Sequence, residues 1–459
     1  MSEHEWDWET DLVVVGAGAC GLMATFVAAR AGIDVVLLEK NTRLGCNTEL
    51  ASGSIPAAGT RFQKALGIDG SARQMSDDIL KKNQGRADAA IVAELCRRSP
   101  EIIDLLVDEV GLPLTLNTDS SRFGFSFLRL HNPPGRTGAP LVRSLHDAIG
   151  RYPNATFVDH CPGAGLVANE NGAVVGVLAG EPAEQRIGAR RVILACDGFG
   201  ASREMIGRYI PEMSDVEYIG VGNNTGDGIR WGMELGAAVA HMGSYQGHGL
   251  VCPGFGTRLT PEVAQLGAVI VNVEGERFAR EDQGYSEFAR VVLAQPRRVA
   301  VAIFDQRIYD IVAPLDHFQE TIASGAIRSA DTLDELTVRF KLPPARVLES
   351  IAQCQAAAAQ GDPFGRQVPY VPCAPPFHGA FITGALAHTQ GGLVVDTSAR
   401  VLRPDGTRIE NLYAGGGTAA GISGDGPDGY LSGNGLLSAL GLGLIAGEHA
   451  AAEILRGRP

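Results

Sequence analysis

The chain has 459 residues, is 45% hydrophobic and carries a formal net charge of −13, which is enough length for one large core with two or three subdomains. Its acidic balance excludes nucleic acid or an anionic membrane surface as the main partner. The eight cysteines (Cys20, Cys46, Cys96, Cys161, Cys196, Cys252, Cys354, Cys373) form no CxxC pair and no CxxCH, so zinc, iron–sulfur and haem attachment are not signalled, no metal site is assigned, and the thiols read as reduced ones in a cytoplasmic protein.

The acidic N-terminus, MSEHEWDWETD, lacks the layout of a signal peptide. From Asp11 to Lys40 the chain predicts a βαβ unit. Leu12 to Val15 is a buried strand, a helix follows from about Gly21 to Ala31, and a second strand, Val35 to Leu38, ends at Glu39. Gly16, Gly18 and Gly21, with Ala19 inside the turn, make the dinucleotide fingerprint GxGxxG: one glycine for the tight turn, one for backbone approach to a pyrophosphate, one for helix–strand packing. Glu39 follows Gly21 by 18 residues, close to the spacing of about 20 at which an acid meets the ribose hydroxyls. Leu12 to Ala29 is charge-free, but the fingerprint explains that run, and no membrane span is expected.

Further along, residues 70 to 150 are mostly helical by pattern, with expected breaks at Pro100 and Gly111. Thr156 to Val177, turning at Asn171-Gly172, predicts a hairpin, and RRVILACDGFGASREM a buried strand running into a turn and helix. Thr332 to Ala359 is a helical stretch followed by a Pro-rich exit.

The run EKNTRLGCNTELASGSIPAAG after the second strand resembles the flavoprotein family of fumarate reductase and succinate dehydrogenase, which also contains 3-ketosteroid dehydrogenases. The resemblance continues through NTGDGIRWGMELG, LGAVIVNVEGERFAREDQGYSEF and the C-terminal NLYAGGGTAAGISGDGPDGYLSGNGLLSALGLGLIAGEHAAAEIL. It implies an α/β fold: a Rossmann-like FAD-binding domain, split in sequence (1–243 and 370–459), with an inserted α+β capping domain (244–369). It implies FAD contacts from Lys40, Asn47, Thr48, Ser52, Gly53, Ala195, Gly198, Asp227, Gly416, Asn434, Leu436 and Leu437, besides Gly16, Gly18, Ala19, Gly21 and Glu39. Covalent members carry a histidine before the threonine of the first segment; Asn47 stands there, implying non-covalent FAD. The family's Ala-Thr-Gly-Gly is here Ala195, Cys196, Asp197, Gly198. His131, Arg136 and Thr137 are the nearest equivalents of a basic segment beside the flavin.

In fumarate reductases, arginines and histidines hold a dicarboxylate and one arginine delivers the proton. This chain keeps Gly275, Arg277, Phe278 and Glu281, yet Tyr285 and Tyr430 stand where two of those arginines are expected. A phenol offers one donor and no permanent charge, so the bidentate carboxylate clamp is lost. Two phenols suit a ketone instead: one polarises the carbonyl and the other exchanges a proton. This is similar to the 3-ketosteroid dehydrogenases, and Tyr430 with Ser432 resembles the 4-dehydrogenase branch. The expected reaction is desaturation of a C–C bond next to the ketone of a 3-ketosteroid or smaller cyclic ketone. Tyr430 and the Gly435 N–H polarise the carbonyl, Tyr285 exchanges the proton, and FAD takes the hydride. His388 and His248 match substrate-facing histidines of the family. The alternative is an enzyme like a soluble fumarate reductase or tricarballylate dehydrogenase, with Arg280 or Arg290 as the clamp. Substrate identity, the electron acceptor or donor, and oligomeric state are not legible.

Overall fold

The computed structural model describes residues 5–119, 122–182, 185–368, 371 and 373–457. In chain order, the elements that organise it are β1 (Trp8–Val15), α1 (Ala19–Arg30), β2 (Val35–Leu38), α2 (Ala89–Leu105), β3 (Ala155–Val158), β4 (Gln185–Leu194), β5 (Tyr245–Cys252), β6 (Val269–Asn272), α3 (Tyr285–Leu293), β7 (Ala300–Asp305), β8 (Phe377–Thr389), β9 (Arg408–Ala414) and α4 (Asn434–Arg456). The chain divides into two compact units. One comprises Met1–Ser214, Gly220–Tyr245 and His388–Pro459; the other comprises Asp215–Ile219 and Gln246–Ala387. The boundary expected at residues 369 and 370 falls outside the described residues.

The first unit is built on a parallel sheet in the order β9–β4–β1–β2–β3, the doubly wound α/β arrangement that the fingerprint predicts. Val13 sits opposite Val36 on one side and Val192 on the other. Strands covered on both faces read as apolar runs, which is why VVVV-type segments appear here rather than alternating ones. α4 packs along α1. A Cβ at Gly443 would meet the Cys20 carbonyl oxygen at 2.4 Å, and one at Gly447 the Ala24 carbonyl oxygen at 2.6 Å, so these two glycines, one turn apart, let the backbones approach. By length and composition alone α4 is apolar enough to cross a membrane. Its apolarity is accounted for by burial against α1 and α2, as in any core helix.

Three local expectations are corrected. Pro100 does not end its helix: α2 continues through it to Leu105, and the Cys96 carbonyl, which a proline at position 100 cannot bond, accepts a hydrogen bond from the Ser99 hydroxyl at 2.8 Å. Gly111, with φ 83°, makes the stop. The hairpin is confined to Gly163–Ala168 and Val174–Ala179, whereas β3 leaves it to pair in parallel with β2. The helical stretch after Thr332 is two helices, Leu333–Phe340 and Pro344–Gln360, separated at Lys341 with φ 55° and the Leu342-Pro343 step.

The second unit has an antiparallel sheet ordered β5–β8–β7–β6. Alternate residues of its strands feed two cores: Ile270, Ala302 and Phe304 face Phe288 and Val292 of α3, and Val269, Val301 and Ile303 face Leu336, Phe340 and Val347. Helices therefore cover both faces, giving the α+β character expected.

Candidate functional site

The fingerprint turn has the geometry its glycines predict. Gly16 has φ 103°, and a Cβ there would lie 2.3 Å from the Ala195 carbonyl oxygen; a Cβ at Gly21 would lie 1.8 Å from the Gly16 carbonyl oxygen. Both are backbone collisions, so no side chain fits. Gly18 differs: a Cβ would meet only Thr48 Oγ1, at 3.8 Å. The glycine capping α1 thus opens onto space at the positive end of the helix, where a pyrophosphate is stabilised. Thr48 Oγ1 accepts the Ala19 N–H at 3.1 Å and ties the following loop to the turn. The Glu39 carboxylate accepts the Ala17 N–H at 2.9 Å through Oε2 and the Asn41 N–H at 2.9 Å through Oε1. Each oxygen keeps a lone pair for a ribose hydroxyl. These residues fit the adenosine diphosphate half of FAD.

Other residues expected around the cofactor have structural partners. Lys40 Nζ binds Asp227 Oδ2 at 3.0 Å and Thr225 Oγ1 at 3.3 Å, so Lys40 and Asp227 neutralise each other. Asn47 Oδ1 accepts the Val221 N–H at 2.9 Å, and the Ser52 and Ser54 hydroxyls are 3.0 Å apart. Gly53, with φ 66°, leaves no room for a side chain beside Pro133, and Gly198 lies against Thr389 Oγ1. The Ala195 N–H donates to Val15 O, joining the ends of β1 and β4. Gly416, with φ 61°, packs on Cys20, and the Asn434 amide donates to Ser423 Oγ at 3.2 Å. Leu436 and Leu437 are buried, and the Leu437 N–H is used inside α4 by Gly433 O. His131 is fully buried, its Nε2 2.9 Å from Thr60 Oγ1 and its Nδ1 3.1 Å from Arg129 O. Burial pushes its imidazole down to about 4, which is the behaviour of a core histidine. Arg136 pairs with Asp119, and the Thr137 hydroxyl donates to Glu49 O.

Tyr430, Ser432, Gly433, Asn434 and Gly435 form the turn into α4. Gly433 has φ 85°, and a Cβ there would strike Pro56 at 2.6 Å, so the turn needs glycine. It delivers Tyr430, buried, beside the first turn of a 23-residue helix. A point one Cβ bond from Gly435 lies 3.3 Å from His388 Nε2 and 3.7 Å from the Tyr430 hydroxyl. The His388 and Tyr430 rings meet edge to face, with centroids 5.8 Å apart. The structure thus brings together three of the residues that the sequence singled out, with half-buried Ser432 in the same turn. His388 Nδ1 is flanked by Thr389 O at 3.2 Å and Gln390 Nε2 at 3.3 Å. Burial holds the imidazole below its ordinary value, opposed by the Asp197 carboxylate, so it is neutral near pH 7.

In the second unit, Tyr285 opens α3. Its N-cap is Gly284, whose N–H donates to Glu287 Oε1 at 3.2 Å. Two glycines in β5 let α3 settle directly on the strand: a Cβ at Gly247 would lie 2.6 Å from Ser286 O, and one at Gly249 2.8 Å from Ala289 N. Tyr285 consequently meets His248, ring centroids 5.2 Å apart, and its hydroxyl accepts from Gln246 Nε2 at 3.3 Å. Burial, with the Arg258 cation adding to it, keeps His248 well below its ordinary value. Gln246, Arg258 and His317 were not among the expected site residues. The motif Gly275-x-Arg277-Phe278-x-x-Glu281 serves the fold: Arg277 bonds both Glu281 oxygens at 2.8 Å, with Asp362 at 2.9 Å, in the interior. Arg280 is held by Asp282 at 3.0 Å, and Arg290 is exposed. Among the described residues, no cluster of histidine, cysteine, aspartate or glutamate could hold a metal ion.

Comparison with known proteins agrees with this geometry. The chain matches the FAD binding domain family over residues 11–436. It is 29% identical to a probable fumarate reductase, Ifc3, of Shewanella frigidimarina across 97% of this chain and 75% of that protein. Among solved structures, the open conformation of a flavocytochrome c3 fumarate reductase superposes with a TM-score of 0.82 at 27% identity, covering 98% of this chain and 79% of the other. A 3-ketosteroid-Δ4-(5α)-dehydrogenase from Rhodococcus jostii, in complex with 4-androstene-3,17-dione, gives 0.79 at 26% identity and covers 98% of both chains. With a fingerprint that opens onto a pyrophosphate site and a match across nearly its whole length, the chain belongs to the FAD binding domain family and is an FAD-dependent oxidoreductase.

Proposed function

We propose that this oxidoreductase acts on a CH–CH group and desaturates the bond next to a ketone, the substrate being a 3-ketosteroid or a smaller cyclic ketone. The observation that carries the reading is the convergence of the Tyr430 hydroxyl and the His388 ring on Gly435 at the N-terminus of α4. The first N–H groups of a helix have no partner within it, so Gly435 N–H and Tyr430 O–H are two donors for one carbonyl oxygen. Such a pair stabilises the enolate that forms as the neighbouring carbon loses its proton. Tyr285, beside neutral His248 and at the positive end of α3, takes that proton. FAD, held non-covalently through the fingerprint turn and Glu39, supplies the two-electron acceptor when bound. A reducing, cytoplasmic setting belongs to the same reading.

The curated relatives favour a second reading, a reductase or dehydrogenase of an unsaturated or tricarboxylic acid. Such a substrate needs convergent cations. Arg280 is engaged by Asp282, and Arg290 faces solvent.

Anaerobic bleaching of the purified flavoprotein decides between them, with a 3-ketosteroid, a substituted cyclohexanone, succinate and tricarballylate as the panel. Bleaching by a ketone alone is the expected result. Bleaching by an acid alone overturns the desaturase.

A further inference from the structure

The second unit also holds a serine and a histidine in direct contact, away from Tyr285 and His248. His378, on β8, has Ser329 of the short strand Arg328–Ala330 opposite it on one side and Phe304 of β7 opposite it on the other. Residues directly opposite one another in a sheet share a face, so the three side chains stand side by side. Ser329 Oγ lies 2.7 Å from His378 Nδ1, and His378 Nε2 lies 2.9 Å from Gln306 Oε1. Gln306 opens the helix Gln306–Val312, and its Nε2 lies 2.6 Å from Asp310 Oδ1, one turn further on.

The protons along this row are fixed from its far end. A carboxylate only accepts, so Gln306 turns its amide nitrogen to Asp310 and its Oε1 to the imidazole. Oε1 also only accepts, so His378 carries its hydrogen on Nε2. Nδ1 is then the ring's lone pair, and the Ser329 hydroxyl donates to it. Tyr309 and Phe304 stack on the imidazole, with centroids 4.6 Å and 5.7 Å away, and hold its plane. Burial keeps the ring below its ordinary value, opposed by the Asp305 and Asp310 carboxylates, so Nδ1 is unprotonated near pH 7. The base is buried, whereas Ser329 is exposed. A hydroxyl whose proton points at a neutral imidazole, itself oriented by a third group, is arranged for nucleophilic attack.

We infer that Ser329 is a nucleophile and a site of covalent acylation, its partner being an activated acyl donor, a thioester or an aryl ester. Ser329 Oγ forms a bond to the acyl carbon while His378 Nδ1 takes the hydroxyl proton. The C–S or C–O bond of the donor breaks, and the proton passes from His378 to the departing thiolate or phenolate. A serine ester and a free thiol or phenol result, with no change of oxidation state. Gln306 is a positioning residue: it holds the Nε2–H of the imidazolium formed on the way, and Asp310 holds Gln306. The flavin takes no part, so the inference does not depend on the ketone reading.

The test treats the holoprotein with p-nitrophenyl acetate, follows p-nitrophenolate release, and maps the acetyl group by peptide mass spectrometry after an acid quench. The expected result is an acetyl group on Ser329. Sustained release that disappears in Ser329→Ala reports the same nucleophile with a short-lived ester. His378→Gln should slow the Ser329-dependent reaction by about 10²–10⁴-fold, the range for losing a general base, and Gln306→Leu by a smaller factor. Flavin content should stay unchanged in all three variants. Acetylation confined to other residues with no release dependent on Ser329, or a Ser329 reaction equally fast in His378→Gln, overturns the inference. If His378→Gln does not fold, Gln306→Leu, at a half-buried position, decides: a slower reaction supports the relay, and an equal rate overturns it.

Discussion

The imidazole of His388 stands edge-on to the ring of Tyr430, at 77° between planes and 5.8 Å between centroids. Both groups border the same glycine. His388 Nδ1 is engaged by the Thr389 carbonyl and the Gln390 amide, and Nε2 lies on the side of Gly435. A neutral imidazole there orients a phenol without competing for its charge. An imidazolium would pull an anionic substrate in and would cost desolvation energy in this buried setting.

Tyr430→Phe removes the hydroxyl and keeps the ring against His388. Turnover with a ketone that bleaches the native flavin is expected to fall by about 10²–10³-fold, the range for losing one oxyanion donor. Flavin content and visible spectrum stay unchanged. Full turnover, or loss of FAD, would show that Tyr430 is structural.

Gly435→Ala separates the site from the helix. Gly435 is the second residue of α4 and needs no positive φ, so alanine fits the backbone there and the thermal midpoint should hold. The added methyl, however, lands 3.2 Å from His388 Cε1 and 3.7 Å from the Tyr430 hydroxyl, where a carbonyl oxygen would sit. The expected outcome is a raised KM and lowered kcat in steady-state kinetics on an equally stable protein. Unchanged kinetics would place the substrate elsewhere.

These two positions were legible in the sequence because they belong to one local turn: Tyr430 and Gly435 are five residues apart, and only glycine fits position 433. The fingerprint was legible for the same reason, its glycine spacing encoding the turn, helix and strand. Arg258 was not. It lies on a two-residue strand with no periodicity of its own, 59 residues before His317, and only the tertiary fold joins the two. Nor was the pairing of Lys40 with Asp227, which joins them across 187 residues. The persistence of α2 through Pro100 depends on Ser99, a local compensation that a simple helix-breaking rule passes over.

Glu39→Ala removes the acceptor shared by the Ala17 and Asn41 N–H groups. Hydrogen bonds to a charged partner contribute about 1.5–3 kcal/mol each, and the ribose contacts are lost too. FAD retention on gel filtration should therefore fall by at least an order of magnitude, with the largest loss at low added FAD. Glu39→Gln, which still accepts, should recover part of it. Undiminished occupancy in the alanine variant would remove Glu39 from the cofactor site.

His131 gives the fold a predictable acid sensitivity. Its imidazole titrates at about 4 in the folded chain, pushed down from 6.5 by burial. The unfolded state therefore binds more protons between those two values, and stability falls as pH drops from about 6.5 towards 4. At 1.36 kcal/mol per unit, the loss approaches about 3 kcal/mol by pH 4 and is absent above pH 7. Chemical denaturation of the holoprotein at pH 7.5, 6, 5 and 4 measures it. His131→Gln keeps a polar partner for the Thr60 hydroxyl and cannot titrate. It should be less stable than the native chain at pH 7.5, because the fit is imperfect, yet lose correspondingly less on acidification. Equal slopes for the two proteins would mean that carboxylates alone set the acid limb.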